Sequence, residues 1–299
     1  MEEELIEKYK KCGKIASEAR EFSRTLIKEG AKTLDIANAI EEKMMSLGAT
    51  GFAFPTNLSI NSVAAHSTPR INDDTVLKKG DILKVDLGCH VDGILSDTAY
   101  TVEVGGHDNK DLVDASHEAL KAALDIVKPG VIVSKIGAVI EDAIKQKGFK
   151  PIANLSGHEI GEYELHAGIT IPNFDNKSSV ALEEGMVVAI EPFATNGFGK
   201  VIDTKESEIF RLTGEERPTR QASARKIMQF AAESYQFLPF CRRWIAKKVG
   251  GFGIEIGMME LLRNGMLHQY PVLKEEKNGM VSQHEHTVIV LDKPIVTTL

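Results

Sequence analysis

Asp86 and Asp97 flank the stretch LGCHVDGILS, and their spacing sets a chemical problem. Asp-Gly at 92–93 is a strong signal for a tight hairpin turn, because both residue types accept the positive φ such a turn demands. A turn at Val91-Asp92 would set the two acids directly opposite each other, and a turn at Asp92-Gly93 would set them diagonally. Either register leaves both on one face of the ribbon, with Cβ atoms about 4.5–8 Å apart. Facing like charges destabilise a sheet, so the pair needs a shared proton, a basic side chain or a cation. The hairpin between them holds no Lys or Arg, which favours a proton or a cation.

Three further segments offer groups for the same site. SGHEIGEYELHAG carries His158 and His166. It nearly spells a metal-binding HExxH helix, but the residue four after His158 is Glu162. Gly157, Gly161 and Gly168 break the segment, so loop and strand are expected. AIEPFAT places Glu191 at the end of an apolar run, where an unpartnered carboxylate is costly. QHEHTVIVLD heads a β-branched run near the C-terminus. If it is a strand, Glu285 points one way and His284 and His286 the other, so the motif supplies one acid and two bystanders. Asp86, Asp97, Glu191 and Glu285 with one imidazole form an oxygen-rich, thiolate-free set. That set is too negative for one structural zinc and suits two divalent ions bridged by acids. Two such ions hold and acidify a water and polarise a carbonyl, which is the chemistry of a hydrolase.

The elements that must position these groups show through an internal repeat. Ile27–Gly48 aligns with Val127–Gly148 at an offset of 100, matching Gly30 with Gly130, Ile36 with Ile136, Ile40 with Ile140 and Glu41 with Glu141. Both copies read as a glycine turn followed by an amphipathic helix closed by glycine. Downstream, Asn57-Leu58-Ser59 matches Asn154-Leu155-Ser156, and His66 matches His166. Leu77–Asp86 matches Leu182–Glu191 at an offset of 105. The expected architecture is α+β: two related halves of helices and antiparallel strands, with a pseudo-twofold that brings the strand ends at Asp86 and Glu191 together.

With 299 residues, 42% apolar and 26% charged, the chain can bury a full core as one large domain or one with an insertion. A formal charge of −7 argues against wholesale binding to nucleic acid or an anionic membrane. The acidic, helical start MEEELIEKYKKCGK lacks a signal-peptide core, and no run reaches the length of a membrane span. Cys12, Cys89 and Cys241 are scattered and odd in number, so no disulfide framework is indicated and a reduced, cytoplasmic compartment is expected.

Taken in order, NLSINSVAAHSTP, KVDLGCHVDGILSDTAYTV, SGHEIGEYELHAG, AIEPFAT and QHEHT resemble the methionine aminopeptidases, specifically the type 2 branch in its archaeal form. The resemblance runs from about Ala31 to the C-terminus. It implies the pita-bread fold, two divalent ions (Co, Mn, Fe or Zn) and removal of the initiator methionine from nascent polypeptides with a small second residue. It implies that Asp86, Asp97, His158, Glu191 and Glu285 are the metal ligands, with Glu191 also taking the proton of the water between the ions. It implies that His66 and His166 contact the scissile peptide, and that Phe54, Leu165 and Tyr270 wall the methionine pocket. A histidine that eukaryotic type 2 enzymes carry soon after AIEPFAT is absent, the local sequence being KESEIFRL, so the fine shape of the pocket departs from theirs.

The stretch between Glu191 and Glu285 is longer than a hairpin needs. Residues 208–270 resemble the helical insertion of type 2 enzymes within a single catalytic domain, 1–299. From Arg211 to Arg263 there are ten Lys/Arg against five Asp/Glu, a solvated helical surface in the first instance and a transient ribosome contact in the second. A monomer is the family's habit. The rival readings are an Xaa-Pro aminopeptidase or prolidase on the same fold, and a non-catalytic pita-bread binding protein.

Overall fold

The structure, a computed structural model, describes residues 1–215, 217–250 and 253–299. The first half comprises α1 (Glu3–Arg24), α2 (Thr33–Ser46), β1 (Gly51–Ile60), β2 (Val63–Ala65), β3 (Ile82–Val91) and β4 (Ile94–Glu103). The second repeats the plan with α3 (Lys110–Leu124), α4 (Val133–Gln146), β5 (Lys150–Pro151), β6 (Ser156–Gly161), β7 (Glu164–Pro172), β8 (Val187–Ile190) and β9 (Phe193–Thr195). A long strand β10 (Val201–Leu212) leads into α5 (Ala222–Ser234), β11 (Phe240–Cys241), α6 (Arg242–Val249) and α7 (Ile254–Arg263). The chain returns through β12 (Leu267–Glu275), β13 (Val281–Gln283), β14 (Glu285–Ile289) and β15 (Ile295–Val296).

The repeat is present in three dimensions. Gly30 and Gly130, at φ of 82° and 83°, start matched turns that only glycine adopts freely. The helices that follow bury the same stripe: Ile36, Ile40 and Met44 in α2, Ile136, Ile140 and Ile144 in α4. Each such side chain contributes about 1.5–3 kcal/mol when buried, which is what seats the helix. Helices α1 and α2 cover one apolar cluster of the main sheet, and α3 and α4 cover another.

That sheet has the order β1-β3-β4-β14-β8-β6-β7, with β15 also on β14. The two halves therefore meet at β14, a strand from the C-terminal segment. A smaller sheet, β11-β10-β12-β2, faces the site from the other side and bears α5–α7 between its β10 and β12. The strand pair that frames these helices closes at Leu212 and Leu267. No described helix is long and apolar enough to cross a membrane.

One feature departs from the expectation of matched strand ends. Glu191 does follow the last residue of β8, but β3 runs on past Asp86 to Val91. The β3–β4 ladder has ten paired positions, five of them beyond Asp86, so it continues through the acid instead of stopping at it.

Arg243 fastens α6 to the first half. Its guanidinium donates to both Glu41 oxygens (2.8 and 3.1 Å), to Asn38 Oδ1 (3.0 Å) and to the Pro69 carbonyl (3.1 Å). The Trp244 indole N–H also donates to Glu41, at 2.9 Å. Both members of the pair are buried, so Arg243→Met leaves Glu41 buried without its counter-charge and should cost about 3–5 kcal/mol. Chemical denaturation of the single variant and of Arg243→Met with Glu41→Met checks this: the double variant should regain much of the loss.

Candidate active site

Five neighbouring strands carry the five metal-type residues. Asp86 lies on β3, Asp97 on β4, Glu285 at the head of β14, Glu191 directly after β8 and His158 on β6. The turn of the first hairpin is Asp92-Gly93, at φ of 50° and 90°, and Val91 pairs with Ile94. Asp97 then faces Gly88 and Asp86 faces Ala99, the diagonal arrangement. Ala99 also faces Glu285 across β14, so its small side chain sits in a row between two acids. Ala189 pairs with His158 on one side and Thr287 on the other, two residues before Glu191. Both alanines are buried small residues in the rows that carry the acids and His158. Sequence reasoning missed them, although period-two spacing from Asp97 and Glu191 points to both.

The split of QHEHT follows the alternation expected of it. Glu285 is buried among the acids. His284 turns away to Ser116 Oγ, 2.8 Å, and His286 Nδ1 lies 2.9 Å from Thr298 Oγ1. SGHEIGEYELHAG is a hairpin of β6 and β7, not a helix, and it brings the His158 and His166 rings to 4.4 Å, edge to face.

The donor atoms of Asp97, His158 and Glu285 lie within 4.8 Å of one another. His158 Nε2 is 3.5 Å from Asp97 Oδ2 and 3.9 Å from Glu191 Oε1. Burial first, and then mutual repulsion, holds the carboxyls of Asp86, Glu191 and Glu285 well above the ordinary carboxylate range. Asp97 is raised as well, by burial, against the pull of His158. Asp86 Oδ1, Asp97 Oδ1 and Glu285 Oε1 are buried without a hydrogen-bond partner among the described residues. Gln283 Nε2 donates to Glu285 Oε2 at 3.2 Å, fixing that side chain's rotamer. Buried, unpartnered carboxylate oxygens with an imidazole beside them fit divalent cations, which supply the missing charge and the missing partners together.

His66 comes from the opposite sheet, just after β2, with a left-handed φ of 61°. Its Nδ1 lies 3.1 Å from the Pro271 carbonyl, an acceptor only, so Nδ1 carries the hydrogen. Burial holds the ring below the ordinary imidazole range, which leaves Nε2 an acceptor. His166 opens onto the cleft, yet the surrounding protein first, then His158, His66 and Arg211, disfavour charge on it. Both rings are therefore neutral near pH 7.

A single cavity of about 400 Å³ is lined by all five metal-type residues, by His66 and His166, and by Phe54, Leu165 and Tyr270. Ile209 of β10, Pro239 ahead of β11 and Phe193 of β9 also line it, and sequence reasoning missed them. In the sequence Leu238-Pro239 signals no more than a helix boundary. Gly88 belongs to the same wall: a Cβ there would lie 2.6 Å from Phe54 Cε1, so its missing side chain is what admits that ring.

The model of metallopeptidase family M24 matches residues 7–290. The chain belongs to family M24. A curated methionine aminopeptidase of Archaeoglobus fulgidus is 48% identical over 292 residues, covering 98% of this chain and 97% of the relative. The crystal structure of a methionine aminopeptidase from Thermotoga maritima superposes with a TM-score of 0.73 at 23% identity, covering 100% of this chain and 98% of that one. The structure of a thermophilic Arx1 superposes at 0.85 with 19% identity, covering 99% and 91%. These structural likenesses establish the pita-bread fold of M24, two curled halves around one site. As an M24 metallopeptidase the chain is a metal-dependent hydrolase that binds divalent metal, and a buried cluster of Asp97, His158 and Glu285 is present.

Proposed function

We propose that this protein is a methionine aminopeptidase that removes the N-terminal methionine of nascent polypeptides when the second residue is small. The observation that carries the reading is the cavity itself: an acid cluster, two neutral histidines and an apolar wall share one cleft of about 400 Å³. Asp86, Asp97, His158, Glu191 and Glu285 would hold two divalent ions, cobalt, manganese, iron or zinc. When bound, such ions polarise the scissile carbonyl and lower the pKa of water.

The chain's own groups then divide the work. Glu191, crowded by acids, takes a proton from the attacking water and holds it for the leaving amine. His66, with Nδ1–H committed to Pro271, offers Nε2 as an acceptor for a substrate N–H. His166 is the partner for the developing oxyanion, donating through a ring N–H as a neutral imidazole. Phe54, Leu165 and Tyr270 enclose the methionine side chain. Residues 208–270, read as an insertion within one catalytic domain, contribute Ile209 and Pro239 to the same wall.

The test is hydrolysis of Met-Gly-Xaa and Xaa-Pro peptides by protein reconstituted with each metal. Methionine release that falls away as the second residue grows supports the reading. Cleavage of the Xaa-Pro peptide alone would move the protein to the prolidase branch. Absence of turnover with every metal would leave a binding protein.

A cytoplasmic monomer working on chains as they leave the ribosome fits this activity. Of the basic residues on α6, Arg242 pairs with Glu208 and Glu255 and Arg243 with Glu41, so neither is a free surface cation. Lys247 and Lys248 are the exposed ones. Lys247→Glu with Lys248→Glu should lower co-sedimentation with ribosomes at low salt several-fold, an electrostatic contact being salt-dependent. Unchanged co-sedimentation would remove α6 from any such contact.

A further inference from the structure

Among the described residues strand β7 ends the main sheet: β6 pairs with it on one side, and the path stops there. Six of its residues in succession, Leu165, His166, Ala167, Gly168, Ile169 and Thr170, line the cavity. A strand that met the cavity with a face would contribute alternate residues. Six in a row mean that the cavity runs along the strand's free edge, where main-chain N–H and C=O groups project. Ala167 and Gly168 keep that edge low. Gly168, at φ of 42°, would be strained by any side chain, and its Cβ would displace the Glu159 carboxylate, whose Oε2 would lie 1.9 Å away. The Glu159 carboxylate accepts the Ile169 N–H at 3.1 Å and holds open the irregularity between the pairs His158–Thr170 and Glu159–Ala167. The edge begins beside the reacting groups, because the His166 ring packs on that of His158.

We propose that the free edge of β7, from His166 to Thr170, is a main-chain subsite that pairs with an extended substrate segment just beyond the scissile bond. This rests on the peptide-cleaving reading above and adds to it. At about 3.3 Å per residue, the edge offers room for the few residues that follow the bond cut. Added-strand pairing recognises the backbone and tolerates many side chains, which suits an enzyme meeting many different N-termini. The occupant must therefore be extended and unfolded at its third and fourth residues.

Steady-state kinetics on the metal-loaded wild-type protein test this by changing the substrate and leaving the fold alone. The parent is Met-Gly-Ala-Ala-Ala-Ala, compared with copies N-methylated at the third, fourth or sixth residue. Methylation at the third or fourth amide should lower kcat/KM by about tenfold, one hydrogen bond lost with its donor blocked. Methylation at the sixth, or Ala→Ser at the third or fourth, should change kcat/KM by less than about twofold. A parent that is cleaved while methylation at the third and fourth positions changes nothing overturns the subsite and leaves the activity standing. A parent that is not cleaved overturns both. If sedimentation shows a dimer and methylation has no effect, the edge serves a second copy of this chain, and the proposal also falls.

Discussion

Glu191→Gln should lower kcat for a Met-Gly-Xaa peptide by about 10²–10⁴-fold, the range associated with losing a positioned general base. Gln keeps the shape of the side chain and the packing after β8 but accepts no proton at working pH. It also relieves the site, since burial and the charges of Asp97 and Asp86 already oppose a carboxylate there. Metal-free Glu191→Gln should therefore unfold at the same temperature as the parent or a higher one, so inactivity cannot be ascribed to a lost fold. Turnover within tenfold of the parent would assign the proton to another group. The expected split, large in kcat and small in thermal midpoint, separates a chemical role from a structural one.

Glu285→Ala should abolish measurable turnover and weaken divalent-ion binding in calorimetry by about 100-fold or more. Losing an outer partner of a metal ligand alone costs about 10–100-fold, and Glu285 stands among the ligands themselves. It sits at the centre of the row, one strand from Asp97 and opposite Ala99, with Gln283 holding one oxygen and the other without a partner among the described residues. Glu285→Gln, which keeps the volume, should lose most of the same affinity. His284→Ala, whose ring turns away to Ser116, should leave it nearly intact. Equal losses at 284 and 285 would mean that the strand register is wrong. Ion affinity unchanged in Glu285→Ala would place the metal elsewhere.

Much of this site was legible because strands alternate. Period two was enough to put Asp86 and Asp97 on one face and to separate Glu285 from its two flanking histidines. A strong Asp-Gly turn narrowed the register to two choices, and the structure takes the diagonal one. The repeat was equally readable, since glycine turns and helical stripes recur over short windows. Its consequences were less so. Glu41 and Glu141 match in sequence, yet Glu41 is buried on Arg243 while Glu141 pairs with Lys145 on the surface. Nothing local distinguishes them, because the difference is the arrival of α6 from 200 residues away. The cysteines make the same point. Cys12 and Cys89 look scattered along the chain, and their sulfurs lie 3.8 Å apart across α1 and β3.

The sequence by itself determined which residues could do the chemistry, which face of each strand they occupy and that two similar halves carry them. Those properties depend on turn preferences and on periods of 2 and 3.6, which a few consecutive residues set. The tertiary structure alone decided that β14 lies between the halves and that Ala99 pairs with Glu285 and Ala189 with His158. It also decided that Pro239 and six successive residues of β7 line one cavity. Each of these is a contact between elements far apart in the chain, and its partners are chosen by how whole layers pack.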